Sequence, residues 1–212
     1  MPRNPLTYWL GAGAAVVLAA QAHATTITYT SYSVLNDQNV TVADTALGFN
    51  ETVGSGEIIL NGTNTPGGTF DVFCIDIPDW LQNSGTFAVG SALNTTFAPT
   101  LNALLNNASS VLSGDTNASS AMQIAIWETV YGSGLTVSGT SSAVLNLATT
   151  YLSNVSTGVW KPSSTMQVDP LVQSGNQTQA ALVPVPEPAS LGVLGVGLAA
   201  LGLLRRLRRA IA

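Results

Sequence analysis

Histidine and cysteine each occur once in the 212-residue chain, and charged residues make up only 8% of it. The histidine, His23, precedes a small-residue cleavage site, so the exported remainder has none. That excludes a Ser-His-Asp triad and a His-ligated metal centre there. A single cysteine, Cys74, excludes an intramolecular disulfide. Of the six Lys and Arg residues, Lys161 alone lies between residues 25 and 183. Ten of the eleven acidic residues share that stretch, for a formal charge of about −9. Such a surface repels nucleic acid and anionic lipid. The sequence has no Walker loop, dinucleotide fingerprint, His-Glu zinc helix, Gly-x-Ser-x-Gly elbow or calcium loop. Asp71, Asp76 and Asp79 are loosely grouped, in a spacing that suits scattered surface carboxylates better than a cation site.

Both ends of the chain carry transport features. Arg3, the apolar stretch 9–20 and Ala22-His23-Ala24 make a signal peptide over 1–24, cut after Ala24 by signal peptidase. At the other end Val185-Pro186-Glu187-Pro188 precedes an apolar run, 189–204, and then Arg205, Arg206, Arg208 and Arg209. The prolines hold the chain extended. The run reads as a transmembrane helix, slightly short, with arginines that snorkel and stay cytoplasmic. This three-part order, over 184–212, resembles the PEP-CTERM sorting signal of Gram-negative bacteria that make exopolysaccharide. The resemblance implies recognition by an exosortase, a membrane protease-transpeptidase that cuts near the motif. The helix would then be a transient anchor, and the destination the cell surface, extracellular matrix or biofilm.

Residues 25–183 have the length of one domain with a real core. They are rich in Thr, Ser, Asn, Gly, Val and Ala, which suits a β-rich exported domain. Alternation predicts a first strand over 26–34, with further strands at 39–43, 56–60, 68–77 and 86–93. After Pro99 the period becomes helical, predicting helices over 101–112, 119–131 and 141–152. Asp115 or Asn117 offers a cap for the second helix, and Gly132 a stop. That helix is apolar nearly all round, hence buried on several sides. Extended structure is predicted again at 159–162 and 166–172, with a closing strand over 176–183. The fold class is α+β: a β-rich single ectodomain with a three-helix insertion. Several Asn-x-Ser/Thr sequons, such as Asn61-Gly62-Thr63, fit chance in so Asn- and Ser-rich a chain.

Cys74 carries the one prospect of chemistry. Its apolar neighbours suit a buried thiol acting as a small hydrophobe. The alternative is a nucleophile. Phe73-Cys74-Ile75-Asp76, then Met122-Gln123-Ile124-Ala125-Ile126-Trp127, then Gln177-Thr178-Gln179 resemble the ordered signature of thioester-forming surface adhesin domains. In those domains an aromatic-Cys-apolar strand supplies the thiol. A buried apolar-Gln-x-x-apolar-Trp helix lies beside it, and a late Gln supplies the acyl group. The resemblance implies a Cys74 thioester with Gln179 or Gln177, with Gln173 also near enough in sequence to compete. It implies a supporting place for Gln123 and Trp127. Gln123 is either a satisfied core amide or a donor orienting the pair. Asp76 either assists proton transfer from the Cys74 face or is a surface or turn-capping carboxylate before Pro78. In the reaction a Cys thiolate attacks a Gln carboxamide and ammonia leaves. The thioester later acylates a hydroxyl or amine. A free thiol has a pKa of about 8.5, and with no histidine as base, proximity and backbone donors must do most of the work.

The leading expectation is a non-enzymatic, exosortase-processed protein of the cell surface or matrix, a covalent adhesin in its sharper form. The alternative is a secreted hydrolase acting on matrix glycans, which would need a carboxylate pair that nothing in the sequence marks. The expected partners are exosortase, signal peptidase, the membrane as transient anchor, and exopolysaccharide or surface nucleophiles. Neither nucleic acid, cofactor nor metal is called for.

Overall fold

The structure is a computed structural model that describes residues 26–93, 95–112, 115–185, 195 and 197–202. The chain divides into two compact units, His23–Val185 and the pair of segments Met1–Ala22 and Pro186–Ala212. The expected signal peptide, Pro186-Glu187-Pro188 and the arginines Arg205, Arg206, Arg208 and Arg209 lie outside the described residues. The described part of the expected membrane helix, 195 and 197–202, is helical. Among the described residues no helix is long and apolar enough to cross a membrane.

The larger unit is mostly β-sheet with three α-helices, in keeping with an α+β class. Its strands are β1 Thr26–Tyr29, β2 Ser31–Asp44, β3 Phe49–Asn61, β4 Thr69–Cys74, β5 Gly85–Val89, β6 Leu135–Ser138, β7 Met166–Val172 and β8 Gln179–Pro184. They pair antiparallel in the order β1-β5-β7-β8-β4-β3-β2-β6. The helices are α1 Ala98–Val111, α2 Thr116–Tyr131 and α3 Ser142–Ser156.

Three local expectations are corrected. The single strand over 26–34 is two, because the chain changes partner at Thr30. Tyr29 pairs with Gly85, whereas Ser31 pairs with Asn61. The helices are not one insertion: β6 lies between α2 and α3 and pairs with the end of β2. No strand forms at 159–162. Trp160 instead stacks on Tyr151 of α3, ring centroids 5.0 Å apart.

α2 is the central helix. Asp115 caps it, accepting from the Asn117 N–H at 2.8 Å. Gly132, at φ +67°, ends it in a conformation that a side chain would resist. Every residue from Ala118 to Trp127 is buried, because α2 packs between the sheet and the other two helices. Its carbonyls and amides are satisfied within the helix, so its side chains are free to serve the sheet.

β4 joins the two halves of the sheet. Its first part, Thr69 to Val72, pairs with β3, where Val72 faces Ile58. Its last two residues pair instead with β8: Phe73 with Ala180, and Cys74 with Gln179. Beyond Val72, β3 has diverged, and the side of Cys74 that a strand would have covered meets α2.

Candidate functional site

A stripe of polar side chains at every fourth residue of α2 fills that gap: Ser119, Gln123, Trp127 and Tyr131. Such spacing keeps side chains on one helical face. The Ser119 hydroxyl donates to the Leu35 carbonyl at 2.8 Å and accepts from the Glu57 N–H at 2.9 Å. It thus bridges a bulge between β2 and β3, where the register shifts between Leu35 and Gln38. Beside it Ser120 bonds Ser55, both fully buried. One turn on, Gln123 Oε1 accepts from the Cys74 N–H at 3.0 Å, and its Nε2 donates to the Cys74 carbonyl at 2.8 Å. The carboxamide acts as a one-residue strand and completes the ladder that β3 abandons. At the end of the stripe the Tyr131 hydroxyl accepts from the Ile77 N–H at 2.8 Å.

On the other side Cys74 faces Gln179. The Ile75 N–H donates to the Thr178 carbonyl at 3.1 Å, while the Cys74 N–H and carbonyl turn away from β8 to Gln123. Cys74 and Gln179 therefore occupy a non-hydrogen-bonded position, where facing side chains come closest. Cys74 is 3% exposed and Gln179 is fully buried.

The competing glutamines are held elsewhere. Gln173 Oε1 accepts from the Thr86 N–H and from Asn176 Nδ2, each at 3.0 Å. Gln177 Nε2 donates to the Asp79 carbonyl at 2.8 Å. Gln177 also serves Gln179: its Oε1 and its backbone carbonyl accept from Gln179 Nε2 at 2.9 and 3.3 Å. Two acceptors at one end of the Gln179 amide fix that end as nitrogen. Its other end, Oε1, is buried with no hydrogen-bond partner, and so is Trp127 Nε1. Each such atom costs about 1–3 kcal/mol.

Burial pushes the Cys74 thiol up to about 12. The Trp127 indole N–H and the Asp76 backbone N–H work against that by favouring thiolate, while the Asp76 charge disfavours it. Trp127 thus stands near the sulfur but too loosely placed to count as a satisfied donor. Asp76 lies past the end of β4, so the strand alternation that would align it with Cys74 does not apply. Its carboxylate accepts from the Thr178 hydroxyl at 3.1 Å and pins the chain just before β8.

A cavity of about 110 Å³ reaches Cys74. Gln123, Trp127, Gln177, Tyr32 and Trp80 line it as well. Trp80 is 63% exposed. One water needs roughly 10–15 Å³ of such space, so several fit. Sequence reasoning placed Gln123 and Trp127 in a supporting helix but missed Ser119 and Tyr131. The four-residue spacing of polar and amphipathic residues in an otherwise apolar helix was the available signal.

These features define an exported protein with a buried thiol–carboxamide pair and a sorting tail. Residues 184–209 match the model of the PEP-CTERM protein-sorting motif, which implies exosortase recognition, export and a transient membrane anchor. No curated protein matches the chain. Among solved structures, the N-terminal domain of the Streptococcus pyogenes pilus tip adhesin Cpa is similar, with a TM-score of 0.40 and 13% identity. The similarity covers 72% of this chain and 97% of that one. It is too distant to bear on function.

Proposed function

We propose that this exported protein works at the cell surface or in the extracellular matrix as a covalent adhesin, through an internal thioester between Cys74 Sγ and Gln179 Cδ. The observation that carries this is the register: a buried thiol directly opposite a buried carboxamide in a non-hydrogen-bonded pair. Proximity of this kind replaces the base that the domain lacks. Attack of sulfur on Gln179 Cδ forms the S–C bond and breaks the C–Nε2 bond. The nitrogen leaves as ammonia and takes the thiol proton with it. Gln177 holds that nitrogen beforehand and lines the cavity through which ammonia departs.

The product is a buried electrophile whose sulfur borders the cavity. A hydroxyl or amine of a polysaccharide or surface partner, entering past Trp80, is acylated by Gln179 and releases the Cys74 thiol. Each copy reacts once, so the protein is a reagent and not an enzyme. Among the described residues that line the cavity, Asp79 is the one carboxylate, whereas sugar hydrolysis by a carboxylate pair needs two.

Intact-mass measurement tests the proposal. The mature protein is expected to be lighter than its sequence by one ammonia, and methylamine to convert the missing group to an N-methylamide. The Gln179→Met variant should show its full mass and take up no methylamine. An unreduced mass for the native protein overturns the proposal.

A further inference from the structure

Among the described residues, the two buried side-chain atoms without a hydrogen-bond partner are Trp127 Nε1, a donor, and Gln179 Oε1, an acceptor. They are complementary, and both adjoin Cys74. Gln179 is its register partner. Trp127 stands one turn beyond Gln123, whose amide holds the Cys74 backbone, and lines the same cavity. Buried polar atoms are normally paired, so two complementary orphans around one sulfur call for a state in which they are used.

We infer that the Trp127 indole N–H is the oxyanion donor of this site, bonding Gln179 Oε1 in the tetrahedral intermediate and in the thioester. The inference rests on the thioester reading above. Before reaction the indole faces the sulfur, and Gln179 Oε1 faces no donor. As the S–C bond forms, Gln179 Cδ closes on sulfur and carries Oε1 toward the indole. Negative charge passes from sulfur to that oxygen, and the same N–H serves both in turn. Collapse expels Nε2 as ammonia, which keeps the former thiol proton. When an acceptor amine or hydroxyl attacks later, charge returns to Oε1, Trp127 stabilises it again, and the departing Cys74 sulfur takes up the acceptor's proton. Nothing is oxidised or reduced. Gln123 is turned to the Cys74 backbone instead, its amide accepting from the N–H and donating to the carbonyl. A donor already in place needs no reorganisation when charge develops.

The test compares the native protein with Trp127→Phe and, as a control away from the cavity, Trp160→Phe, which keeps a ring against Tyr151. Losing one oxyanion donor slows acyl transfer by roughly 10²–10³-fold. Trp127→Phe should therefore take up methylamine that much more slowly, and Trp160→Phe at a rate close to native. Any thioester formed in Trp127→Phe should show its infrared carbonyl band at higher wavenumber, since a hydrogen bond to the oxygen has gone. A packing role alone would not move that band. If Trp127→Phe does not fold, the indole N–H proton resonance of native Trp127 gives the answer. It should shift on methylamine treatment, while that of Trp160, outside the cavity, stays put. Native methylamine rates and an unmoved carbonyl band in a folded variant overturn the donor role alone. So does an indole resonance that methylamine leaves unchanged. An undiminished native mass overturns the thioester reading and the donor role with it.

Discussion

Replacing Gln179 by Met removes the acyl group while keeping the volume that seals Cys74. The thiol then persists in an environment that holds its pKa near 12, against an ordinary 9.0, and burial is the main cause. Gln179 is not among the groups that set this shift, so the substitution leaves the shift in place. The gap makes thiolate roughly a thousandfold scarcer at pH 8 than in an unfolded chain. Iodoacetamide should therefore label Cys74 about a thousandfold more slowly in folded than in urea-unfolded Gln179→Met. The same gap affects stability. Below pH 9 both states hold the proton and the thiol contributes no pH dependence. Between about 9 and 12 the unfolded chain loses the proton while the folded one keeps it, so stability falls as pH rises. The full fall is about 4 kcal/mol. Under the proposed thioester the native protein has no thiol to titrate and should lack this fall. Tyr131, which burial also pushes to about 12 with the Cys74 charge adding to it, titrates in both proteins and largely cancels in the difference. Urea denaturation at pH 8 to 11 reads it. Equal slopes for the two proteins, or labelling of the folded variant at the unfolded rate, would refute the reasoning.

Gln123→Ala should destabilise the protein by about 2–5 kcal/mol in urea denaturation, because it unpairs two buried backbone groups of Cys74. Ser119→Ala should cost about 1–3 kcal/mol by the same logic, since one hydroxyl serves Leu35 and Glu57. Burial, with the Asp71 charge adding to it, pushes the Glu57 carboxyl from 4.5 up to about 7. Its contribution is thus fully present below pH 4.5 and lost as pH rises through 7. Glu57→Gln should lack that decline in a melting-temperature series from pH 4 to 8. Protein recovered from exosortase-bearing cells should lack Arg205, Arg206, Arg208 and Arg209 in C-terminal mass analysis. Retention of those residues would contradict processing.

Much of the fold was legible along the chain. Asp115 and Gly132 bound α2 as their capping chemistry requires, and the extended stretch expected at 166–172 is β7, Met166–Val172. Alternation failed at Thr30 because it reports which face a side chain takes, not which strand lies alongside. Tyr29 and Ser31 keep the same rhythm while their partners change from β5 to β3. Periodicity found α2 but could not mark its working face, for a related reason. A helix buried from Ala118 to Trp127 has no solvent face to set its apolar residues apart. Its working face is marked by the polar exceptions, Ser119 and Gln123, with Trp127 and Tyr131 continuing the line.

The sequence by itself determined what the domain cannot do and where the protein goes. The lack of any histidine after His23, a lone thiol and a Pro-Glu-Pro tail are facts of composition and order, independent of folding. It put Gln179 and Gln177 forward as partners for Cys74 with Gln173 in competition, since all three follow it by about a hundred residues. Tertiary structure decided which of them faces the thiol. Strand register is an alternating, two-sided constraint, and a slip of one residue turns each side chain to the opposite face. The pairing of β4 with β8 sets Gln179 against the thiol. The same pairing leaves Gln177 to hold the amide nitrogen and Gln173 to tie down Thr86 and Asn176.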